Sequence, residues 1–261
     1  MKIEFLTQDD PLYVLPFFEE FFARYTKEFE ILNVSCSRAM GKRPRIQLMR
    51  ELLGLYGPLG SVRIATRLVR SRLLAGLPRR PQAERYETLQ QLCKAYGVPY
   101  AHIGSPNAPE YMQQVKQRGA DAIVSVACPY ILKDELLKLP PRGCINIHHA
   151  PLPRYKGMMP TFWQMYHGEK NVGVTIHYMA AKVDEGSALL QDTLAIEPGE
   201  TLDHLIRRSK RHGALCMARV LREVANGTQT QFSLNQAEGT YFTFPTIAEI
   251  REFHRRGLRP I

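Results

Sequence analysis

Short apolar runs alternate with longer stretches of helical spacing along most of this chain. Residues 2–7 (KIEFLT) and 29–36 (FEILNVSC) read as buried strands. Between them, 11–25 carries apolar residues at helical intervals, with Asp10 placed as N-cap and Pro11 at the first helical position. From residue 86 the alternation resumes: a helix to 96, a strand at 100–103, a helix at 108–118 capped by Ser105 or Asn107, a strand at 122–127, a short helix at 134–139 and a strand at 144–148. Later, 173–179 (GVTIHYM) and 187–196 (SALLQDTLAI) predict two strands joined by the short loop AAKVDEG, and a long helix runs from Thr201 to about 225. Strands alternating with helices predict an α/β fold. Its sheet is mainly parallel and doubly wound, with an antiparallel strand near the end and ligands at the carboxyl ends of the strands.

One segment interrupts the rhythm. Between Arg38 and Arg85, twelve Lys or Arg stand against Glu51 and Glu84, a surplus of ten that equals the net charge of the whole chain, +10. Gly57-Pro58 and PRRP at 78–81 break it, and 61–74 predicts an amphipathic helix, so the segment reads as a basic insertion over about 38–85. Within 61–74, Arg63, Arg67 and Arg70 fall on one helical face and Val62, Ala65, Leu68 and Val69 on another. Three readings fit: contact with an anionic membrane, a clamp for a phosphate-rich acceptor, or a solvated face packed on the domain by its leucines. Residues 1–225 are expected to form one domain around this insertion, and 226–261 a short C-terminal extension.

Composition narrows the chemistry mostly by exclusion. The 261 residues, 44% of them hydrophobic, suffice for a sizeable core. The first residues lack a basic region followed by an unbroken apolar stretch, so no signal peptide is expected, and no apolar run approaches bilayer length. Five scattered cysteines without a CxxC pair predict free thiols in a reducing cytoplasm. The turn after the first strand, TQDDP, has no glycine to bring amides against a pyrophosphate, which disfavours NAD and FAD, and no GxxxxGK[ST] is present for ATP. HExxH and clustered Cys/His spacings are absent, so no dedicated metal site is expected.

The strand at 144–148 carries the strongest chemical signal. Alternation puts Asn146 and His148 on one side at the sheet's carboxyl edge. An amide and an imidazole side by side suit a carbonyl oxygen that becomes negative during acyl transfer. Asp184, in the loop AAKVDEG, is placed to take a proton from the attacking group, directly or through water, and to hold the imidazole, while Gly186 lets that loop turn tightly.

At NIHHAPLPRYKG (146–157), GVTIHYMAAKVDEG (173–186) and SVACPYIL (125–132) the chain resembles the formyltransferases that use 10-formyltetrahydrofolate. That family includes methionyl-tRNA, glycinamide ribonucleotide and sugar N-formyltransferases. The resemblance covers roughly 86–206 and implies a Rossmann-like fold with Asn146, His148 and Asp184 as the catalytic trio. It also implies a folate pterin held between Pro129, Tyr130, Ile131 and Leu132 on one side and the loop containing Ala180, Val183 and Gly186 on the other. Where the family usually has His-x-Ser-Leu-Leu-Pro, this chain has His148-His149-Ala150-Pro151-Leu152-Pro153.

Other residues carry open readings. His149 points to the opposite face, for structure or solvent; His177 supports the trio or sits in the core; Arg154 and Lys156 bind an acceptor phosphate or are solvated. Trp163 reads as core, and one of Gln8, Asp9 and Asp10 could hold the acceptor amine. A small amine is the expected acceptor, most of all a nucleotide-linked amino sugar, because MMPTFW and TYFTFPT resemble the sugar-modifying branch. The tRNA enzymes normally carry a C-terminal barrel for which 226–261 is too short, and glycinamide ribonucleotide enzymes usually lack such an insertion. Those two acceptors stay as alternatives, and a formyltetrahydrofolate hydrolase or an inactive folate-binding protein as readings of another class.

Overall fold

In the computed structural model, which describes residues 1–37, 45–182 and 184–261, the first apolar run forms strand β1 (Lys2–Gln8), buried on both faces as a central parallel strand must be. Helix α1 (Leu15–Tyr25) starts four residues later than the sequence predicts. Asp10 Oδ1 accepts the amides of Leu12 and Tyr13 at 2.9 and 3.0 Å, but these bonds close a turn ahead of the helix, so Asp10 caps that turn and Pro11 precedes the helix. Phe17, Phe18, Phe21 and Phe22 of α1 surround Phe5 with centroid separations of 5.1 to 6.5 Å. This cluster ties the helix to the sheet.

Strand β2 (Glu30–Ser37) lies parallel to β1. Residues 38–44 of the basic insertion lie outside the described residues. Its helix α2 (Arg45–Leu74) is broken at Gly57, whose φ of 65° is left-handed, ahead of Pro58. The second half does not present the faces expected from spacing. Ile64 and Ser71 are buried, Arg67 Nη1 donates to Asp203 Oδ1 at 2.9 Å, and Arg70 Nη2 to Glu87 Oε1 at 2.6 Å. Two of the three arginines expected on a basic face therefore pair with acids of the domain, because the helix lies on it along 64, 67 and 71. Leu59, Val62, Val69 and Leu73 are left exposed.

Helix α3 (Leu89–Ala95), capped by Thr88, is shorter than expected because 86–88 serve as its approach. Strand β3 (Tyr100–Ile103), helix α4 (Pro109–Arg118), strand β4 (Ala122–Val126), helix α5 (Asp134–Leu137) and strand β5 (Cys144–His148) follow the sequence reading closely. Neither Ser105 nor Asn107 caps α4. Asn107 instead braces the next loop, its Nδ2 donating to the Ile131 carbonyl at 2.9 Å and its Oδ1 accepting the Lys133 amide at 2.8 Å.

A two-residue strand β6 (Lys156–Gly157) and helix α6 (Pro160–Tyr166) lead to β7 (Asn171–Tyr178) and β8 (Ala188–Ala195), and then to α7 (Leu202–Asn226), capped by Thr201. The sheet order is β3-β2-β1-β4-β5-β7-β8. All neighbours are parallel except β5–β7 and β7–β8, so β7 is the one reversed strand. The chain order reverses between β1 and β4, the switch point where an open α/β sheet forms a crevice.

Residues 226–261 add β9 (Tyr241–Phe242) and α8 (Ile247–Arg255). Strand β9 pairs with β6, and Ile250 and Phe253 of α8 share a core with Leu55, Phe162 and Trp163. Among the described residues no helix is long and apolar enough to cross a membrane. All five cysteines are free.

Candidate active site

Two cavities open at the carboxyl ends of β1, β4 and β5. The larger, about 540 Å³, is lined by Gln8, Asp10, Tyr56, His148, Phe162 and Lys210 among others. The second, about 320 Å³, is lined by Cys128 to Leu132, Asn146, His177, Ala180 and Asp184. Gly157 and Met158 line both and form the wall between them. The trio expected from sequence is thus divided across this boundary, His148 facing the larger cavity and Asn146 and Asp184 the smaller. Four of the five non-glycine residues with positive φ among the described residues lie here: Ala127, Tyr155, Met159 and Asp184, at 57°, 60°, 50° and 54°. Such backbone costs about 1–3 kcal/mol each and collects where geometry serves a site.

His148 is buried, and its Nε2 lies 2.8 Å from the Tyr155 carbonyl. A carbonyl only accepts, so Nε2 carries the proton. Nδ1 then holds the lone pair, 3.7 Å from Asp184 Oδ2. Burial lowers the His148 pKa from the ordinary 6.5, outweighing the pull of Asp184, and the ring is neutral at pH 7. Burial works against the Asp184 carboxylate too, yet attraction to the His148 ring once it carries its second proton, together with His177 and the Gly157 amide, holds it down at about 2. Asp184 is therefore ionised.

His177 donates from Nδ1 to the Tyr178 carbonyl at 2.8 Å, which leaves Nε2 as an acceptor 3.2 Å from Asn146 Nδ2. The same Nε2 is 3.6 Å from Asp184 Oδ1. Both of its readings meet here: the ring is buried and bonded to backbone, and it contacts Asn146 and Asp184. One amide proton of Asn146 is held by His177 and the other is free to donate elsewhere.

The remaining expectations divide. Pro129, Tyr130, Ile131, Leu132 and Ala180 all line the smaller cavity; Val183 lies outside the described residues. Gly186 does not line it. A β-carbon there would stand 1.6 Å from the Tyr178 carbonyl oxygen, so the glycine serves close backbone approach. His149 is buried rather than solvated, its Nδ1 lying 2.9 Å from Ser209 Oγ, and it lines the larger cavity. Arg154 turns to Glu169 and Lys156 to Glu185, and neither lines either of these two cavities. Trp163 is core, stacked on Phe242 at 4.6 Å with Nε1 donating to the Thr243 carbonyl at 3.0 Å. Gln8 and Asp10 line the larger cavity, and Asp9 does not.

Three contributions escaped the sequence reading. Burial lowers the Lys210 pKa to about 8 and raises that of Asp10, their opposite charges resisting both shifts. Tyr56 reaches the larger cavity from the insertion, its hydroxyl 2.7 Å from that of Tyr13. The wall at 155–158 is held by the C-terminal segment, with Lys156 N donating to the Thr240 carbonyl at 2.9 Å and Met158 N to that of Phe242 at 2.8 Å. Asp10 and the TYFTFPT tail stood out in the sequence, but nothing local paired them with Lys210 or with the wall at 155–158.

Residues 74–221 match the family model described as Formyl transferase. The methionyl-tRNA formyltransferase of Trichlorobacter lovleyi is 32% identical over 153 residues, which are 59% of this chain and 48% of that protein. The chain spans about half the length of the curated relatives it matches. Among solved structures, glycinamide ribonucleotide transformylase 1 from Symbiobacterium toebii superposes with a TM-score of 0.60 at 17% identity, covering 90% of this chain and 94% of its own. The N-formyltransferase of Helicobacter canadensis, in complex with folinic acid and dTDP-3-aminofucose, gives 0.55 at 16% identity over 93% of this chain and 71% of its own. At these identities the likeness is one of fold. Because the family match spans more than half of the chain and contains all three motifs, this protein belongs to the formyl transferase family.

Proposed function

We propose that the chain transfers the formyl group of 10-formyltetrahydrofolate to the primary amine of a small acceptor. The observation that carries this is the pair of cavities meeting at Asn146, His148 and Asp184. The folate occupies the smaller, against 129–132 and Ala180, and the acceptor the larger. The amine attacks the formyl carbon, and Asn146 Nδ2 donates to the oxygen as it becomes negative. Asp184, held at about 2, is too weak a base to lead, so the proton passes from the amine to Nδ1 of neutral His148. Ionised Asp184 stabilises the resulting imidazolium. The carbon–N10 bond then breaks as His148 returns the proton to N10, giving the N-formyl product and tetrahydrofolate.

The acceptor reading we favour is an amino sugar, nucleotide-linked. Tyr13, Tyr56, Phe162 and Phe244 give its cavity broad apolar walls suited to a sugar ring, and Lys210 is the one cation among the described residues lining it. The test mixes the chain and 10-formyltetrahydrofolate with nucleotide-linked amino sugars, glycinamide ribonucleotide or charged initiator tRNA, and follows tetrahydrofolate release and formyl mass gain. A gain on an amino sugar is expected. A gain on one of the others reassigns the acceptor, and release without any acceptor replaces transfer by hydrolysis.

Because His148 must be neutral to take the proton, turnover is expected to rise with pH through an apparent pKa below 6.5 and then level. Asp184→Asn removes the charge that favours imidazolium, so its limb should move to lower pH as its rate falls. A limb that stays in place would break the proposed coupling.

The membrane expectation at 61–74 rests on exposed Val62, Val69 and Leu73, joined by exposed Leu59 just before the segment and flanked by exposed Arg63 and Arg72. This combination fits an anionic bilayer surface. Co-sedimentation with anionic but not neutral liposomes is expected, and lost in Leu59→Ser/Leu73→Ser; no sedimentation at low salt removes the reading.

A further inference from the structure

Outside both cavities, helix α7 and strand β8 bring three ligating side chains to one point. His212 and Cys216 are four residues apart on α7 and share a face. Asp192 of β8 meets them. His212 Nε2 lies 3.1 Å from Asp192 Oδ2, and Cys216 Sγ lies 3.5 Å from that oxygen and 3.5 Å from that nitrogen. The other carboxylate oxygen, Oδ1, accepts the Thr193 amide at 2.8 Å, which leaves Oδ2 to the histidine and the cysteine.

A nucleophilic relay does not explain this arrangement. In a relay the acid and the thiol occupy opposite ring nitrogens, whereas here both face Nε2. Without an ion, Asp192 Oδ2 accepts from both His212 Nε2–H and the Cys216 thiol, and a cation would take the place of those two protons. A cation at the centre satisfies all three. With bonds of about 2.3 Å to sulfur and about 2.0 Å to nitrogen or oxygen, a tetrahedral ion holds its ligand atoms about 3.3–3.6 Å apart. The observed triangle, with sides of 3.1, 3.5 and 3.5 Å, is close to three corners of that tetrahedron.

We propose that Asp192, His212 and Cys216 bind a divalent transition-metal ion of the zinc class, with water at the fourth corner. A thiolate and an imidazole select a borderline-soft ion over magnesium or calcium. The Asp192 and His212 side chains are 47% and 24% exposed, which gives the ion an approach and the fourth position its water. Binding forms metal–sulfur, metal–nitrogen and metal–oxygen bonds and releases the thiol proton to solvent. The ion would clamp edge strand β8 to the long helix. A search for clustered Cys/His spacing misses this site because its third ligand lies on another element.

The test titrates the reduced, metal-free chain with Co²⁺ alone. A thiolate-to-cobalt charge-transfer absorption with tetrahedral ligand-field bands is expected, saturating at one equivalent and displaced by Zn²⁺, and Zn²⁺ should raise the unfolding temperature. Cys216→Ser should lose the charge-transfer band while keeping its fold. His212→Gln and Asp192→Asn should each weaken binding by more than the roughly tenfold that losing an outer partner costs. Absence of the band, or its persistence in Cys216→Ser, overturns the proposal. Because the band reports sulfur, ions held by His148, His177 and Asp184 cannot imitate it, and the outcome is independent of formyl transfer.

Discussion

Replacement of His148 by Ala is expected to lower turnover by about three to four orders of magnitude, with the chain still folded. In the proposed reaction the imidazole takes the amine's proton and returns it to the leaving nitrogen, and positioned acid–base groups are worth about 10²–10⁴ in rate. The ring serves twice, taking the proton from the amine and returning it to N10, so its loss slows both halves of the transfer. The two contributions come from one ring and do not multiply in full. Its Nε2 bond to Tyr155 and its burial set both roles: the first leaves Nδ1 as the working atom, and the second keeps it neutral and ready to accept. Asp184→Ala should fall in the same range, and the double variant little further, because the carboxylate acts by stabilising the protonated ring. Single-turnover rates with unchanged circular dichroism check this. Rates within tenfold of the parent in both single variants would remove the trio from the chemistry.

Gly186→Ala is expected to cost about 10²-fold in turnover although the residue touches neither cavity. The added β-carbon would sit 1.6 Å from the Tyr178 carbonyl oxygen and 2.7 Å from its carbon, and both are backbone of β7 that cannot swing aside. The loop must lift from the strand, and Asp184 lies two residues away in it. A displacement of about 1 Å at a reacting group is enough for a hundredfold loss. Stability should fall as well, since Tyr178 precedes the loop and its amide pairs with the Ser187 carbonyl at 2.9 Å. Gly76→Ala, whose β-carbon meets nothing within 4 Å, is the control and should leave activity unchanged. If Gly186→Ala keeps full turnover and the parent's unfolding temperature, the close approach does not position Asp184.

Which parts of this were legible in the chain follows from the range of the forces involved. Strands and helices of the sheet were, because apolar periodicity is local, and β1, β4, β5 and β7 lie within a few residues of where spacing puts them. The start of α1 was not: Asp10 has an N-cap's chemistry, and only the tertiary fold shows it closing a turn beside a cavity. The same limit applied to α2. Spacing put Arg67 and Arg70 on a basic face, but Asp203 and Glu87, distant in sequence, turn both toward the domain.

By itself the sequence determined the doubly wound sheet with one reversed strand, the formyl transferase family, and the two segments whose side chains meet at the junction, because these reside in local alternation and short ordered motifs. The tertiary structure alone decided how those side chains work together. Which nitrogen of His148 is free depends on the Tyr155 carbonyl, which Thr240 helps to hold from the C-terminal segment, and the second cavity exists only where Tyr56, Lys210 and Phe244 converge. Proton positions and cavity walls are set by contacts between residues far apart in the chain, and no local pattern records them.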